Sequence, residues 1–206
     1  MPRSKSSNNW LHRHVNDPFV KKAQLDGYRS RSAYKLTELN EKDRLIKPGM
    51  FLLDLGSAPG GWSQVAAKLV GGKGRVLATD ILPMDPIKGV DFVQGDFTDE
   101  AVVAKLIEKL DGGKFDLIIS DIAPNITGID SADQASSMYF LELALDTVRK
   151  TLKPGAAFVA KMFQGSGSDQ YVKELRTSFE KVLIRKPAAS RAESREVFIV
   201  AKGFRG

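Results

Sequence analysis

The chain has no cysteine and only two histidines, which limits the chemistry it can perform. Without thiols it cannot form a disulfide bond, hold an iron–sulfur cluster or bind zinc through thiolates. His12 and His14 are its only imidazoles, so we expect no metal site. It also lacks a run of about 18 apolar residues and an N-terminal apolar signal core. We therefore expect a cytoplasmic protein without a membrane span.

Positive charge is concentrated at the N-terminus. The 206 residues hold 31 lysines and arginines against 25 acidic residues, a net charge of +6. Residues 1–31 contain seven of the basic residues and two aspartates, so this segment alone contributes +5. Basic residues interleaved with aromatic ones are typical of RNA-binding surfaces. The residues that we predict to contact RNA are Arg13, Lys21, Lys22, Arg29 and Arg31.

Beyond this segment, short apolar stretches alternate with longer amphipathic ones. Helical spacing predicts helices over residues 30–40, 61–70, 99–110, 132–152 and 169–179. The strand-like segments are residues 50–54, 75–80, 91–94, 115–121, 156–162, 181–184 and 196–202. This alternation predicts an α/β fold with a mainly parallel sheet, and we expect the last two strands to pair antiparallel at one edge. We expect residues 1–29 to be a basic, partly flexible RNA-binding extension and residues 30–206 to be one catalytic domain.

A glycine-rich turn follows the first predicted strand. Asp54 ends this strand, and Gly56 and Gly60 precede the next helix, where glycines let the backbone approach a ligand closely. The spacing differs from the Gly-x-Gly-x-x-Gly of dinucleotide binders, and Pro59 lies in the turn. This disfavours a hydride-transferring dinucleotide enzyme and favours S-adenosylmethionine, whose amino-acid carboxylate the turn would hold. We predict that Asp54 and Gly56 contact this cofactor.

Two further aspartates follow the next strands. Asp80 ends the second strand, where an acidic side chain accepts hydrogen bonds from ribose hydroxyls. Asp96 follows the third strand and is placed to accept from an adenine amino group. Each aspartate alone could be a helix cap or a turn residue, but their occurrence after consecutive strands favours a nucleoside-binding cofactor site.

Four polar residues, Lys35, Asp121, Lys161 and Glu196, lie at the edges of apolar segments, and we refer to them as the tetrad. Amino-group methyltransferases usually have two prolines and an aromatic residue after the residue at position 121; here Ile122 and Ala123 differ from that pattern. An oxygen acceptor is therefore favoured over a base nitrogen. A ribose 2'-hydroxyl is a poor nucleophile that requires a general base.

Lys161, at the end of an apolar strand, is the candidate general base. Its amine must be neutral to accept a proton. Burial and the like charge of Lys35 would favour the neutral amine, whereas Asp121 and Glu196 would favour the charged form. We therefore expect the two carboxylates to orient the site.

The sequence resembles the FtsJ/RrmJ family of RNA ribose methyltransferases over nearly its whole length. The segments that carry this resemblance are residues 30–36, 54–64, 80, 95–97, 120–125, 161–163 and 190–196. The resemblance implies a Rossmann-like S-adenosylmethionine-dependent methyltransferase fold with a seven-stranded sheet. It also implies methylation of a uridine ribose in the A-loop of 23S rRNA, on the large ribosomal subunit.

By position, the resemblance assigns catalytic roles to the tetrad, with Lys161 as the proton acceptor. The cofactor contacts that it implies are Gly60, Trp62, Asp80, Asp96 and Asp121. We expect a monomer. Two alternatives remain open at this stage: a tRNA ribose 2'-O-methyltransferase, and a non-catalytic ribosome-assembly factor with a methyltransferase fold.

Overall fold

The computed structural model describes residues 17–124 and 127–206, which contain seven strands and six helices. The strands are β1 (Phe51–Leu55), β2 (Arg75–Asp80), β3 (Val90–Gln94), β4 (Phe115–Ser120), β5 (Leu152–Phe163), β6 (Phe179–Arg185) and β7 (Glu196–Phe204). The helices are α1 (Pro18–Leu25), α2 (Ala33–Asp43), α3 (Gly61–Val70), α4 (Glu100–Glu108), α5 (Asp130–Thr151) and α6 (Ser168–Ser178).

The strands form a single sheet in the order β3-β2-β1-β4-β5-β7-β6. The first five strands in this order are parallel, and β7 runs antiparallel to both β5 and β6. The predicted α/β fold, with a mainly parallel seven-stranded sheet and an antiparallel edge pair, is confirmed. The chain moves outward from β1 to β3 and then returns to β4 beside β1. The carboxyl ends of β1 and β4 therefore border the crevice where such sheets bind ligands.

Helices cover both faces of the sheet because the strands are apolar on both sides. In β1, Leu53 and Leu55 belong to the core cluster under α4, α5 and α6, whereas Leu52 belongs to the cluster under α2 and α3. Neighbouring strand residues point to opposite faces, so one strand contributes to both cores. Each layer buries its own set of leucine, valine and phenylalanine side chains, which fixes the helices on the sheet.

The junction between α5 and β5 differs from the prediction. We predicted a helix that ends at residue 152 and a strand that begins at residue 156, but α5 ends at Thr151 and β5 begins at Leu152. Leu152 is fully buried and pairs with Phe115 of β4. The register between the two strands then shifts before Leu117, and this irregularity accommodates the Pro154 segment within the strand.

Helix α1 lies in the segment that we predicted to be a partly flexible extension. Asp17 caps it, because its Oδ1 accepts a hydrogen bond of 2.9 Å from Phe19 N, and Pro18 occupies the first helical position. Both are standard start signals of a helix. The buried Ala23 packs against Tyr34 of α2, so residues from 17 onward are attached to the catalytic domain.

The loop after β4 is tied to the start of α5. The Asp133 carboxylate accepts hydrogen bonds from Thr127 N at 2.8 Å, from Thr127 Oγ1 at 2.7 Å and from Gly128 N at 3.1 Å. These bonds lower the pKa of Asp133.

Although α5 has 22 residues, it is not apolar enough to cross a membrane. In the described part of the chain, no helix is long and apolar enough to do so.

Candidate active site

A cavity of about 330 Å³ opens at the carboxyl ends of the parallel strands. Three carboxylates line it, those of Asp80, Asp96 and Asp121. The apolar part of the lining includes Ile81, Leu82, Phe97, Ile122 and Phe140. Apolar walls with a few convergent polar groups are the usual composition of a small-molecule site. The carboxylates can accept hydrogen bonds from hydroxyl and amino groups.

Gly56 brings the turn after β1 close to the loop after β4. Its φ is +71°, a left-handed conformation that favours glycine, and a Cβ atom here would collide with the Ile122 side chain. Both residues line the cavity. Position 56 therefore has no space for a side chain.

The Asp80 carboxylate is held by the backbone of two loops. Its Oδ2 accepts a hydrogen bond of 2.9 Å from Ala58 N, and its Oδ1 accepts one of 2.8 Å from Leu82 N. A carboxylate has about four acceptor positions, so two remain for a ligand. Asp80 is thus oriented before any ligand binds, as the predicted ribose contact requires.

Asp96 lies one strand further along the same cavity, after β3. It is exposed, and its Oδ1 accepts a hydrogen bond of 2.9 Å from Thr98 N. This is the arrangement of a turn residue, which was the alternative at the sequence level, but the residue also lines the cavity. The two roles are compatible, and the adenine contact remains a prediction.

Asp54 is a buried carboxylate that does not belong to the cavity lining. Its Oδ2 accepts a hydrogen bond of 2.6 Å from Ser63 Oγ, and its Oδ1 has no hydrogen-bond partner within the described residues. Burial raises the pKa of Asp54 to about 7; the Ser63 bond opposes this rise, and the charges of Asp121 and Asp80 add to it. Direct cofactor contact by Asp54 remains a prediction.

Gly60 and Trp62 also lie outside the lining of this cavity. Trp62 is 2% exposed, its Nε1 donates a hydrogen bond of 2.8 Å to Ser32 O, and its ring packs on Phe198 with centroids 5.6 Å apart. The side chain therefore joins α3 to α2 and to β7. A cofactor contact of these two residues stays an expectation from the resemblance.

The structure brings the tetrad together as two ion pairs. Lys35 of α2 lies with its Nζ 2.7 Å from Glu196 Oε1, at the start of β7. Lys161 of β5 lies with its Nζ 3.1 Å from Asp121 Oδ1, and it donates a hydrogen bond of 2.7 Å to Asp121 O. The four side chains are at most 16% exposed. Because Glu196 neutralises Lys35, the like charge that we expected to act on Lys161 is largely compensated.

Asp121 connects the tetrad to the cavity. It lines the cavity and also lies against Lys161, but its Oδ1 makes no hydrogen bond with Nζ despite the short distance. Their attraction is therefore electrostatic, and the directed bond of Nζ goes to the backbone oxygen. A smaller cavity lined by Lys161, Ile122 and Phe140 adjoins the first, and the last two residues line both.

Ser190 is a member of this site that the sequence did not reveal as one. It is 7% exposed, and its Oγ donates a hydrogen bond of 2.7 Å to Glu196 Oε1. The resemblance included the segment 190–196, but a serine in a polar loop gives no signal of its own. Glu38 holds this loop by accepting hydrogen bonds from Ala188 N at 2.6 Å and Ala189 N at 3.0 Å.

The predicted RNA-binding residues differ in their exposure and in their contacts within the protein. Arg31 forms an ion pair with Asp17 and donates a hydrogen bond to Ala189 O, so it is engaged inside the protein. Lys22 pairs with Asp26 at 3.0 Å, and Lys21 is exposed. Arg13 lies outside the described residues.

Arg29 and the nearby aromatic residues also make contacts within the folded domain. The Arg29 guanidinium donates hydrogen bonds to three backbone oxygens. Phe19 and Tyr28, two aromatic residues of the basic segment, each lie with their ring centroid 5.7 Å from that of Tyr34. Of the four predicted RNA contacts that the structure describes, Lys21 and Lys22 are exposed, whereas Arg29 and Arg31 are half-buried.

Residues 17–124 and 127–206 contain no group of three or more histidine or acidic side chains that could hold a metal ion.

The strand order and the cavity at the carboxyl ends of the strands are those of Rossmann-like methyltransferases. Residues 28–204 match the family model of FtsJ-like methyltransferases. The chain belongs to the FtsJ-like methyltransferase family.

Similar proteins carry consistent names. A protein of Stutzerimonas stutzeri called ribosomal RNA large subunit methyltransferase E is 68% identical over 206 residues, covering 100% of both chains. A protein of the same name from Pseudomonas aeruginosa is 54% identical, again over 100% of both chains. Among solved structures, a Plasmodium falciparum protein assigned as a ribosomal RNA methyltransferase has a TM-score of 0.78 and 31% identity. That match covers 87% of this chain and 100% of the other.

Proposed function

We propose that this protein transfers a methyl group from S-adenosylmethionine to the 2'-hydroxyl of a uridine ribose in the A-loop of 23S rRNA. The large ribosomal subunit in the cytoplasm would be its substrate, and Lys161 its general base. The observation that carries this proposal is the position of Asp121, which lines the cavity and lies beside Lys161. A candidate proton acceptor thus adjoins a candidate cofactor site.

The residues of the cavity fit this cofactor. Asp80 has free acceptor positions for ribose hydroxyls, and Asp96 supplies an acceptor at the next strand end. Apolar residues such as Phe97 and Ile122 provide the walls that an adenine ring needs. When bound, S-adenosylmethionine would supply a methyl group on a positively charged sulfur.

Lys161 would remove the proton of the ribose hydroxyl as the new bond forms. In the structure its Nζ is fixed by Asp121 O and by the Asp121 carboxylate, contacts that suit an ammonium group. When its amine is neutral, the Nζ atom can accept the proton, and Asp121 would keep it oriented. Proton transfer of this kind contributes roughly 10²–10⁴-fold to a rate.

Lys35 and Glu196 would position the ribose. They are paired with each other at 2.7 Å, so neither presents an uncompensated charge to the acceptor. Ser190 Oγ donates a hydrogen bond to the same Oε1 atom of Glu196 that Lys35 contacts, which adds a second fixed partner to this oxygen. Positioning of reacting atoms is a large part of the rate enhancement of a displacement reaction.

The choice of acceptor RNA rests on the names of the relatives. Proteins 54–68% identical over all or nearly all of their length are called ribosomal RNA large subunit methyltransferase E. The exposed lysines of α1 would contribute contacts to rRNA phosphates.

Tritiated methyl transfer to three substrates tests the proposal. Purified large subunits, free rRNA and bulk tRNA are incubated in parallel with the protein and labelled S-adenosylmethionine, and the product is digested to nucleosides. We expect label in 2'-O-methyluridine from the large subunit. Label in tRNA would contradict the ribosomal assignment and support a tRNA ribose methyltransferase. Cofactor binding without label in any RNA would contradict the enzymatic proposal and favour an assembly factor.

A further inference from the structure

The Arg29 guanidinium joins two loops of the cofactor region. Its Nη1 donates hydrogen bonds to Pro59 O at 3.2 Å and to Asp85 O at 2.7 Å, and its Nη2 donates one to Pro86 O at 2.9 Å. Pro59 belongs to the loop between β1 and α3, and the other two residues belong to the loop between β2 and β3. One side chain thus satisfies three carbonyl oxygens on both loops.

These are the loops that line the cavity. Ala58 of the first loop and Leu82 of the second lie on its wall. At the strand ends, the Asp80 carboxylate already connects the two loops by accepting hydrogen bonds from the backbone of both residues. Arg29 adds a second connection further from the strands, so the loops are fastened at two separate points.

The Arg29 guanidinium is closely packed against the two loops, and further hydrogen bonds hold Arg29 itself in place. A Cβ atom on Gly60, whose φ is +112°, would lie 3.1 Å from Arg29 Nη1 and 2.6 Å from Ile87 Cδ1. The backbone N of Arg29 donates a hydrogen bond of 2.8 Å to Gln64 Oε1, and Gln64 Nε2 donates one of 3.0 Å to Gly27 O. The residue is therefore fixed at both its main chain and its side chain.

We propose that Arg29 is a positioning residue for the cofactor cavity, where it fastens the two loops, and that it is not a phosphate contact as its charge alone suggested. This inference rests on the proposed function, since it assumes that the cavity binds S-adenosylmethionine. The planar guanidinium presents several donors in a fixed fork and can serve three carbonyls at once, whereas a lysine ammonium is a point charge on a flexible stem. The arginine is thus required for its shape.

Calorimetric titration with S-adenosylhomocysteine tests this role without RNA or turnover. For Arg29→Ala we expect a Kd about tenfold higher than that of the unmodified protein, equivalent to about 1.4 kcal/mol. Arg29→Lys should recover part of the loss, because an ammonium can reach some of the carbonyls. Lys68→Ala removes an exposed cation of α3 and should leave the Kd unchanged.

A second control separates positioning from general destabilisation. Arg185→Ala removes two hydrogen bonds to Asp43, of 2.8 and 2.9 Å, between β6 and the end of α2. It should lower the melting temperature without changing the Kd for S-adenosylhomocysteine. In the methyl-transfer assay, Arg29→Ala should raise the KM for S-adenosylmethionine while the salt dependence of RNA binding stays the same.

The outcomes distinguish this inference from the proposed function. If the unmodified protein does not bind S-adenosylhomocysteine, the proposed function fails. If it binds, and Arg29→Ala binds equally well, the positioning role is wrong. A flatter salt dependence of RNA binding with an unchanged cofactor Kd would instead identify Arg29 as a phosphate contact and overturn the inference.

Discussion

The Lys35 ammonium and the Glu196 carboxylate form a buried ion pair, with Nζ 2.7 Å from Oε1, that joins α2 to the first residue of β7. Burial by itself raises the pKa of Glu196. The charge of Lys35, the hydrogen bonds from Lys35 and Ser190, and the charge of Lys161 outweigh burial, so the pKa lies below its ordinary value. The site therefore stabilises an ionised Glu196.

In the Glu196→Gln variant, the free energy of unfolding should depend less on pH in the acidic range. Because the pKa of Glu196 is lower in the folded state, its ionisation contributes stability above the ordinary pKa, and this contribution is lost as the pH falls through the folded value. The unmodified protein should therefore lose more stability than the variant as the pH falls through and below the ordinary glutamate pKa. Urea unfolding at several pH values measures this difference. Parallel stability curves would contradict the assignment.

Lys161→Met should abolish methyl transfer without preventing cofactor binding. Methionine keeps an unbranched apolar side chain in the buried position but cannot accept a proton, so we expect kcat to fall by at least about 100-fold. The Kd for S-adenosylhomocysteine should stay close to that of the unmodified protein, because Lys161 does not line the cavity of about 330 Å³ that we propose as the cofactor site. Rapid-quench transfer assays and calorimetry give the two values.

The matched control for this variant is Lys153→Met. Lys153 lies on the same strand, is exposed and pairs with Asp116 at 2.7 Å, remote from the tetrad in the strand register. It should retain full transfer activity. Activity retained by Lys161→Met would assign the proton to another acceptor, with the Asp121 carboxylate as the nearest candidate.

Asp54→Asn should remove a pH dependence of the free energy of unfolding that lies at higher pH than that of Glu196. Burial raises the pKa of Asp54 to about 7, so the folded state binds more protons than the unfolded state between about pH 4 and 7. Stability must then fall as the pH rises through this range, by up to about 4 kcal/mol from this group. Asparagine cannot ionise, so the variant should show a flatter curve.

Denaturant unfolding at about pH 5 and pH 8 measures this difference, since the two values lie on either side of most of the titration. Asp91→Asn is the control, because Asp91 is half-exposed and its carboxylate lies at a long distance of 3.4 Å from the Arg75 guanidinium. Its stability should follow the unmodified protein at both pH values. An Asp54→Asn variant with the same pH dependence as the unmodified protein would show that Asp54 ionises normally.

Much of the fold was predictable because its signals are local. The alternation of apolar and amphipathic segments gave the sheet and most helices, and α3 has the predicted bounds of residues 61–70. Helix α1 was missed because the basic composition of the segment outweighed the start signal of Asp17 and Pro18. The continuous passage from α5 into β5 depends on the pairing of Leu152 with Phe115, which is not a local feature.

The site was predictable in its members but not in its contacts. Strand ends and the family resemblance pointed to the tetrad, yet which lysine pairs with which carboxylate depends on where α2 lies against β7. The same limit applies to Arg29 and Arg31, because composition counts their charges but does not show the backbone oxygens that they bind. Ser190 gave no signal, since its role arises only from its position beside Glu196.

Gly56→Ala should weaken cofactor binding more than its effect on backbone conformation alone explains. An alanine at φ +71° costs about 1–2 kcal/mol, and its Cβ would also displace Ile122, which lines the cavity. Gly112→Ala is the matched control, because Gly112 has a φ of +75° and open space around the Cβ position. Both variants should show a lower melting temperature, but only Gly56→Ala should show a higher Kd for S-adenosylhomocysteine. Equal affinities in the two variants would mean that contact between Gly56 and Ile122 does not shape the cofactor site.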